Sequence, residues 1–398
     1  MTARRPVRVG VFGLLGSGNL GNDGSLEAVL GYLRTEHPAA VVDALCGGPE
    51  AVRARYRIPA TRLHWYRGEY RTASRAGSIA GKAVGKLVDV VRTAAWVRRH
   101  DVVIVPGMGV LEATLPLRPW GFPYALFLLC ASGRLFGTRV ALAGVGAAPI
   151  ADRAVRALVR RSARLAAYRS YRDELSRTAM REMGVDTTRD EVYPDLAFSL
   201  PTPVVEEPAP GRVCVGVMDF HGGNDDRDRA EEIHRRYVDG TTRFVRALVE
   251  DGRQVRLLTG DGADFAVVGA IIEAVGSPLV TASDASSLAE LTAETAAADA
   301  VVATRYHNLV CALKSGTPTL ALSYAAKSDA LMELMGLGEF RHPAREVDAD
   351  RLIEQFRELE KRAAELRQTL TERNLAARRR LEHQFTALTT ALFPKESP

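Results

Sequence analysis

The chain has 398 residues, of which 46% are hydrophobic and 25% charged, and this suits two soluble globular domains of about 150–200 residues each. Its net charge of +5 is modest for this length and does not indicate a nucleic-acid partner. The four cysteines are far apart, without a Cys-X-X-Cys pair, so the sequence predicts neither a zinc cluster nor disulfides, and it favours a reducing cytoplasm. The longest uncharged window, 119–133, is shorter than the roughly 20 residues needed to span a bilayer. We therefore expect a cytoplasmic protein.

The first 200 residues alternate short apolar runs with stretches of helical spacing. Nearly continuous runs of Val, Ile, Leu and Ala are typical of parallel strands that are covered on both faces. The alternation predicts a doubly wound α/β domain over 1–200. The predicted strands are 7–15, 41–45, 101–106 and 139–145, and the predicted helices are 23–34, 124–136 and 153–165.

Residues 201–211 contain four prolines and predict an extended linker. After it the alternation restarts, which predicts a second α/β domain over 212–347 and a helical segment over 348–398. The predicted strands of the second domain are 213–218, 255–258, 279–281, 300–303 and 319–322. Two doubly wound Rossmann-like domains with a long C-terminal helix resemble the GT-B arrangement of many sugar-modifying enzymes. That resemblance implies a site in the cleft between the domains.

A glycine-rich loop over 13–24 follows the first strand and opens a helix. Glycines let the backbone approach a ligand closely, and the N–H groups at a helix start attract phosphates or carboxylates. The loop lacks the Gly-Lys-Ser/Thr of a Walker motif, and its glycine spacing does not fit dinucleotide binding. A plain tight turn is the alternative to a ligand-contacting loop. The residues that we expect to contact a ligand are Gly18, Asn19, Gly21, Asn22 and Asp23.

Polar or glycine residues follow several other strands of the first domain. Gly107 and Gly109 come after the strand that ends near residue 105, and they either approach a ligand or form a packing turn. Arg172 follows an apparent strand over 166–168, where its guanidinium could hold a phosphate or carboxylate. The next residue, Asp173, is expected to cap a helix. Asp195 also ends a strand, and the sequence allows two roles for it: contact with an acceptor hydroxyl, or a structural cap.

The first strand of the second domain is followed by a loop over 219–225 that contains His221 and two glycines. We expect His221 to contact substrate from this loop. Nearby aspartates suggest a metal site, but Asp225, Asp226 and Asp228 lie in a polar run that is typical of a solvated loop. The sequence therefore predicts no metal.

Arg305 and His307 lie where the strand over 300–303 ends and a helix over 308–315 begins. Tyr324 and Lys327 follow the next strand, at the same edge of the predicted sheet, where open α/β sheets place ligands. An always-charged guanidinium two residues from an imidazole that titrates near neutral pH suits a small, doubly charged anion. A buried structural histidine is the alternative for His307.

Four motifs in order, over about residues 10–330, resemble the polysaccharide pyruvyl transferase family. They are the glycine-rich loop over 13–23, Arg172-Asp173-Glu174-Leu175-Ser176, Asp195-Leu196-Ala197-Phe198, and Arg305-Tyr306-His307 followed by Gly316-Thr317-Pro318 and Tyr324-Ala325-Ala326-Lys327.

This resemblance implies transfer of the pyruvyl group of phosphoenolpyruvate to two sugar hydroxyls, with formation of a ketal and release of phosphate. The second domain would bind the donor and the first the acceptor. Arg305, Arg172 and Lys327 are the candidate holders of the two anionic groups. His307 is the candidate general acid, and Asp195 would orient or deprotonate the acceptor. No cofactor is implied beyond phosphoenolpyruvate as the donor substrate.

Two other functions stay open at the level of sequence: a glycosyltransferase that uses a nucleotide sugar, and a catalytically silent binding protein. The acceptor is also open among a polymer unit, a lipid-linked sugar and a small glycoside. The family's triple glycine is interrupted here by Pro106 and Met108, which bears on acceptor preference. The basic segment 67–100 is either a peripheral membrane contact or a solvated helix and loop.

Overall fold

A computed structural model describes residues 5–66, 75–112, 119–203 and 209–393, without the side chains of 75–80 and 224. Parts of the predicted basic segment and of the predicted linker therefore lie outside the described residues. The chain forms two compact units. The first takes its described residues from 1–17, 25–196 and 380–398, and the second from 18–24 and 197–379.

The sheet of the first unit has, in the described residues, seven parallel strands in the order β3-β2-β1-β4-β5-β6-β7. This order reverses between β1 and β4, as in doubly wound folds, and ligands bind such sheets outside the carboxyl ends of the strands. The central strand β4 is buried throughout, since helices cover both faces. The strands are β1 (Arg8–Gly13), β2 (Val41–Cys46), β3 (Ala60–Arg62), β4 (Val102–Pro106), β5 (Arg139–Val145), β6 (Tyr168–Tyr171) and β7 (Glu191–Val192).

The helices that follow these strands are bounded by ordinary capping chemistry. Asp152 accepts from the backbone N–H of Val155 to start α5, and Gly137 in the left-handed region ends α4. As predicted, Asp173 caps the helix α6. The helices are α1 (Leu20–Glu36), α2 (Pro49–Tyr56), α3 (Arg75–Val97), α4 (Phe122–Phe136), α5 (Arg153–Leu165) and α6 (Glu174–Glu182).

The sheet of the second unit has, among the residues that the structure describes, six parallel strands in the order β10-β9-β8-β11-β12-β13. The order again reverses between two adjacent strands, β8 and β11. The loops after these strands are therefore the expected ligand position in this unit. The strands are β8 (Arg212–Gly216), β9 (Gln254–Leu258), β10 (Val280–Ala282), β11 (Ala300–Ala303), β12 (Thr319–Ser323) and β13 (Arg341–Pro343).

The helices of the second half of the chain begin with α7 (Ala230–Glu250), α8 (Phe265–Val275), α9 (Leu288–Ala296), α10 (Tyr306–Lys314) and α11 (Ala326–Leu334). The predicted C-terminal helical stretch is divided at Arg362 into α12 (Ala349–Lys361) and α13 (Ala363–Leu392). Residues of α13 up to Arg379 group with the second unit, and those from Arg380 with the first.

Apolar side chains and the cysteine thiols lie inside the two units. The thiol groups of Cys46, Cys130, Cys214 and Cys311 are all buried. Burial raises the pKa of the Cys130 thiol to about 12, and burial followed by the charge of Glu294 does the same for Cys214. Within the described residues, no helix is long and apolar enough to cross a membrane.

Candidate functional site

The guanidinium of Arg305 is held by the carboxylate of Asp264. Its Nε donates to both carboxylate oxygens at 3.2 and 3.0 Å, and its Nη2 donates to Oδ1 at 2.5 Å. Arg305 follows β11, and Asp264 follows β9 on the same sheet. Burial by itself would lower the pKa of Arg305, but the hydrogen bonds and the charge of Asp264 outweigh it and raise that pKa. The pair therefore fixes a cation at the carboxyl edge of the sheet.

Asp264 also organises the neighbouring backbone. Its side chain is fully buried, and its oxygens accept from the backbone N–H groups of Asp219, Gly260 and Asp261, each at 3.0 Å. These groups come from the loops after β8 and β9. One carboxylate therefore ties two loops to Arg305, and charge-assisted bonds of this kind are among the stronger ones in proteins.

His307 packs against the backbone of the glycine-rich loop. A Cβ atom at Gly21 would lie 2.0 Å from both Cε1 and Nδ1 of the imidazole, so only glycine leaves room for the ring there. The His307 ring also meets the ring of Tyr306 edge-on, with 5.3 Å between centroids. The structure thus brings together Gly21 and His307, which were predicted separately as site residues.

The helices α10 and α11 begin beside each other, because each follows one of the paired strands β11 and β12. In the described structure, neither Arg305 nor Ala325, their N-cap residues, makes a side-chain capping bond. The Lys327 Nζ lies 5.7 Å from the ring centroid of Tyr324 and 6.0 Å from that of Tyr306. Two helix N-termini, a lysine and an arginine are therefore close in the fold, a setting that suits an anion.

His221 lies in the loop after β8, beside Asp219 and the helical residue His234. Its Nε2 is 3.0 Å from Asp219 Oδ1, and its ring stacks on that of His234 with 4.3 Å between centroids. The loop joins the Arg305 region through the bond from the Asp219 N–H to Asp264.

In the first unit, Arg172 lies among carboxylates. Its Nη2 donates to Glu112, its Nη1 is 3.9 Å from Asp195 Oδ2, and its Nε is 3.6 Å from Asp173 Oδ2. The side chains of Arg172, Glu112 and Asp195 are almost completely buried. Three carboxylates therefore lie within 4 Å of one guanidinium.

Glycines make room for this cluster. A Cβ atom at Gly146 would lie 2.4 Å from Glu112 Oε1 and 2.6 Å from Arg172 Nη2, and one at Gly109 would lie 2.8 Å from the Glu112 carboxylate. Gly107 has φ of 48°, and a Cβ there would lie 2.3 Å from the Ser25 hydroxyl. The predicted glycines Gly107 and Gly109 therefore admit neighbouring side chains of this chain.

Other residues of the predicted loop have local roles. Asn19 accepts from the backbone N–H of Asn22 at 3.2 Å and so caps α1, while its own carbonyl accepts from the N–H of Asp23 at 3.3 Å. Gly18 has φ of 90°, which glycine adopts readily.

Sequence reasoning missed three polar residues of these clusters: Asp264, Glu112 and His234. Two of them had a detectable signal. Glu112 is a single acid after the apolar pair Val110-Leu111, and Asp264 ends a Gly-Asp-Gly-Ala-Asp run directly after a buried strand. An acid in such a position often pairs with a nearby cation, because an unpaired buried charge is costly.

Comparison with known proteins places the chain in a family. Residues 19–325 match the family described as polysaccharide pyruvyl transferase. The chain belongs to the polysaccharide pyruvyl transferase family. The matched range includes Gly21, Arg172, Asp195, Arg305 and His307. Membership of this family supports a transferase of polysaccharide biosynthesis.

Solved structures share the fold at low identity. A proposed UDP-N-acetylglucosamine 2-epimerase from Listeria monocytogenes has a TM-score of 0.65 at 11% identity, with 99% of this chain and 98% of that chain covered. The UDP-GlcNAc 2-epimerase from Neisseria meningitidis bound to UDP-GlcNAc has a TM-score of 0.61 at 10% identity, with 97% and 99% covered. MurG from Acinetobacter baumannii has a TM-score of 0.52 at 14% identity, with 97% and 100% covered. The chain has no significant match among curated protein sequences.

These likenesses confirm the predicted fold class, two Rossmann-like α/β domains of the GT-B type with a long C-terminal helix. At these identities they concern the fold alone, and the family assignment rests on the sequence match.

Proposed function

We propose that this protein transfers the pyruvyl group of phosphoenolpyruvate to two hydroxyls of a sugar or glycan, forming a cyclic ketal and releasing phosphate. The observation that supports it best is the position of Arg305, His307 and Lys327 at the ends of two adjacent strands, where α10 and α11 begin. Family membership supports the same reaction class.

The second unit is proposed to bind the donor. Phosphoenolpyruvate carries a carboxylate and a phosphate, so it needs cationic or N–H partners for both. Arg305 is proposed as one such partner through the N–H groups of its Nη1, since its Nε and Nη2 already donate to Asp264. The other proposed partners of the donor's anionic groups are Lys327 and the backbone N–H groups at the N-termini of α10 and α11. The ring of Tyr324 lies beside the ammonium group of Lys327.

His307 is proposed as the general acid. Protonation of the donor's methylene carbon develops positive charge at C2, which the first sugar hydroxyl attacks. The C2–O bond to phosphate then breaks as the second hydroxyl adds. Of the two hydroxyl protons, one replaces the proton delivered to the methyl carbon and the other leaves with the phosphate. An imidazole suits such transfer because its reference pKa lies near neutral pH.

The first unit is proposed to bind the acceptor. Glu112 and Asp195 are carboxylates that can orient or deprotonate a sugar hydroxyl, and Asp195 keeps its proposed catalytic role. Since Arg172 is surrounded by carboxylates, we propose that it positions them and that the donor's anions are held by the second unit.

A glycosyltransferase that uses a nucleotide sugar is the second candidate. It is favoured by the fold likeness to the Neisseria meningitidis epimerase, whose structure contains bound UDP-GlcNAc. The two candidates differ in the small product, which is free phosphate for the first and a nucleoside diphosphate for the second.

The test is incubation of the full chain with phosphoenolpyruvate and a panel of cell-envelope glycans and small glycosides. We expect phosphate release that depends on an acceptor, and mass spectrometry should show one added ketal on that acceptor. Release of nucleoside diphosphate from a nucleotide sugar would instead support the second candidate. Binding of phosphoenolpyruvate in calorimetry, without turnover on any acceptor, would support a silent binding protein.

A matched pair of variants tests the acceptor side. Asp195→Asn should reduce turnover by roughly 10²–10⁴ if Asp195 is the base, while phosphoenolpyruvate affinity stays unchanged. Asp186→Asn, at an exposed position of the same unit, is the control. Equal turnover in the two variants would remove Asp195 from the mechanism.

A further inference from the structure

Three side chains of the second unit bring metal-ligating atoms together: Asp219, His221 and His234. One carboxylate oxygen and one ring nitrogen from each histidine lie within 4.8 Å of one another. Asp219 and His221 come from the loop after β8, and His234 comes from the first turns of α7. The cluster shares no residue with the proposed anion-binding group of Arg305 and Lys327, although His221 was predicted to contact substrate.

The distances converge on one atom. Asp219 Oδ1 is 3.0 Å from His221 Nε2 and 3.5 Å from His234 Nδ1. The two imidazoles stack nearly parallel, with an interplanar angle of 6°, and each ring places one nitrogen within 3.5 Å of the same carboxylate oxygen. Metal–nitrogen and metal–oxygen bonds of about 2.0–2.2 Å fit a cation among three atoms at such separations after small side-chain rotations.

The surroundings suit ligation. The other nitrogen of His221, Nδ1, is 3.9 Å from the carboxylate of Glu231, an exposed residue of α7. The three ligand side chains are partly exposed, which gives an ion access from solvent. Gly222 has φ of 85° and lies next to Gly223, so the loop backbone can adjust as the stacked rings open.

We propose that Asp219, His221 and His234 form a binding site for a divalent transition-metal ion of the zinc class. Two imidazoles and one carboxylate are typical of Zn²⁺, Co²⁺ or Fe²⁺, whereas Mg²⁺ and Ca²⁺ prefer all-oxygen ligands. Three protein ligands leave at least one coordination position for water. Through the bond from the Asp219 N–H to Asp264, ion binding would also order the loop that adjoins Arg305.

The test measures binding and does not depend on turnover. The full chain, without a histidine tag and after treatment with a chelator, is titrated with Zn²⁺ in competition with a chromophoric chelator. We expect one tightly bound equivalent per chain. His221→Ala, His234→Ala and Asp219→Asn should each weaken that binding at least about tenfold. Co²⁺ should give a visible absorption band in the wild type that these variants lose.

His64→Ala is the matched control, because His64 Nδ1 lies 3.2 Å from a single carboxylate, Asp89, in the first unit. It should bind Zn²⁺ like the wild type. His221→Gln provides a second, milder variant at the site, and circular dichroism checks that every variant is folded. Absence of a tight equivalent in the wild type, or unchanged binding in folded His221 and His234 variants, would overturn the proposal. Because no sugar or phosphoenolpyruvate is present, this result is independent of the proposed reaction.

Discussion

Arg305 donates to both carboxylate oxygens of Asp264, a fully buried residue 41 positions earlier in the chain. The pair fixes the direction of the guanidinium before any ligand binds. A charge that is already held in place stabilises an anion more effectively than a mobile one, since it needs little rearrangement when the anion binds. The pairing also changes how substitutions here are interpreted: Arg305→Ala would leave a buried carboxylate without its cation, so it would reduce stability as well as affinity.

Asp264→Asn should therefore affect both properties. Removing one partner of a buried pair typically costs about 3–5 kcal/mol of unfolding free energy, because the other charge stays buried. We expect a loss near the lower end, since Arg305 is partly exposed, together with weaker phosphoenolpyruvate binding. Urea unfolding and calorimetry measure the two effects. Asp284→Asn is the control: the Asp284 side chain lies in the same unit, is exposed and pairs with Arg256, a surface contact worth about 0–1 kcal/mol. Equal effects in the two variants would contradict a special role for Asp264.

Gly21→Ala should displace the imidazole of His307, because the new Cβ would lie 2.0 Å from two of its ring atoms. Turnover should fall if His307 acts in the reaction. The unfolding free energy should change little, since the higher helix propensity of alanine contributes about 0.5–1 kcal/mol and partly offsets the cost of moving the imidazole. The control is Gly31→Ala on the same helix α1, where no atom lies within 4 Å of the added carbon. Phosphate release and thermal melts of both variants decide the matter, and normal turnover in Gly21→Ala would speak against His307.

His307→Ala should reduce turnover by roughly 10²–10⁴ if the imidazole is the proton donor, while the protein stays folded. His307→Gln should not restore it, because an amide forms hydrogen bonds but cannot deliver a proton at neutral pH. A purely structural histidine would give the opposite pattern, with a lower melting temperature in the alanine variant and near-normal turnover in the glutamine one. His383→Gln, in the first unit, is the control for histidine replacement.

We expect the burial of Lys314 to make the stability of the protein depend on pH. Its Nζ donates to the carbonyl of Pro201 at 2.9 Å, and burial lowers its pKa from 10.5 to about 8. Between pH 8 and 10.5 the unfolded chain therefore binds more protons at this lysine than the folded chain does. The unfolding free energy contributed by Lys314 should rise across this window, by about 3 kcal/mol at most.

The measurement compares wild type and Lys314→Met in urea at several pH values from 7 to 11. The wild type should gain stability relative to the variant as the pH rises, and a constant difference would contradict the prediction. Lys361→Met, at an exposed position of α12, is the control for loss of a lysine.

Sequence reasoning located the buried strands of the second unit well. The predicted strand over 300–303 coincides with β11. Four consecutive apolar residues bounded by polar ones are typical of a short buried strand and are too few for a buried helix. The strand expected over 166–168 is instead β6 (Tyr168–Tyr171), whose polar residues conceal it. The short strands β3, β7 and β13 were also missed. They lie at or near sheet edges, where little burial is required and the apolar signal is weak.

The site was only partly predictable for a different reason. The strand-end positions of Arg305 and His307 follow from local pattern, and so does the expectation of an anion there. Their actual partners do not, because Asp264 and Gly21 are distant in sequence, and proximity depends on strand order in the folded sheet. The placement of Arg172 among Glu112, Asp173 and Asp195 shows the same limit, since an arginine indicates an anionic partner but not whether that anion is a ligand or a carboxylate of the chain.

The four buried cysteine thiols can be used to detect unfolding of each unit. Cys46 and Cys130 belong to the first unit, and Cys214 and Cys311 to the second. The thiolate is the nucleophile that attacks alkylating reagents, and burial suppresses its formation by raising the pKa of Cys130 and Cys214 to about 12. Modification should therefore require local or global opening. Timed alkylation followed by peptide mapping would measure the opening rate of each unit separately, without any introduced label.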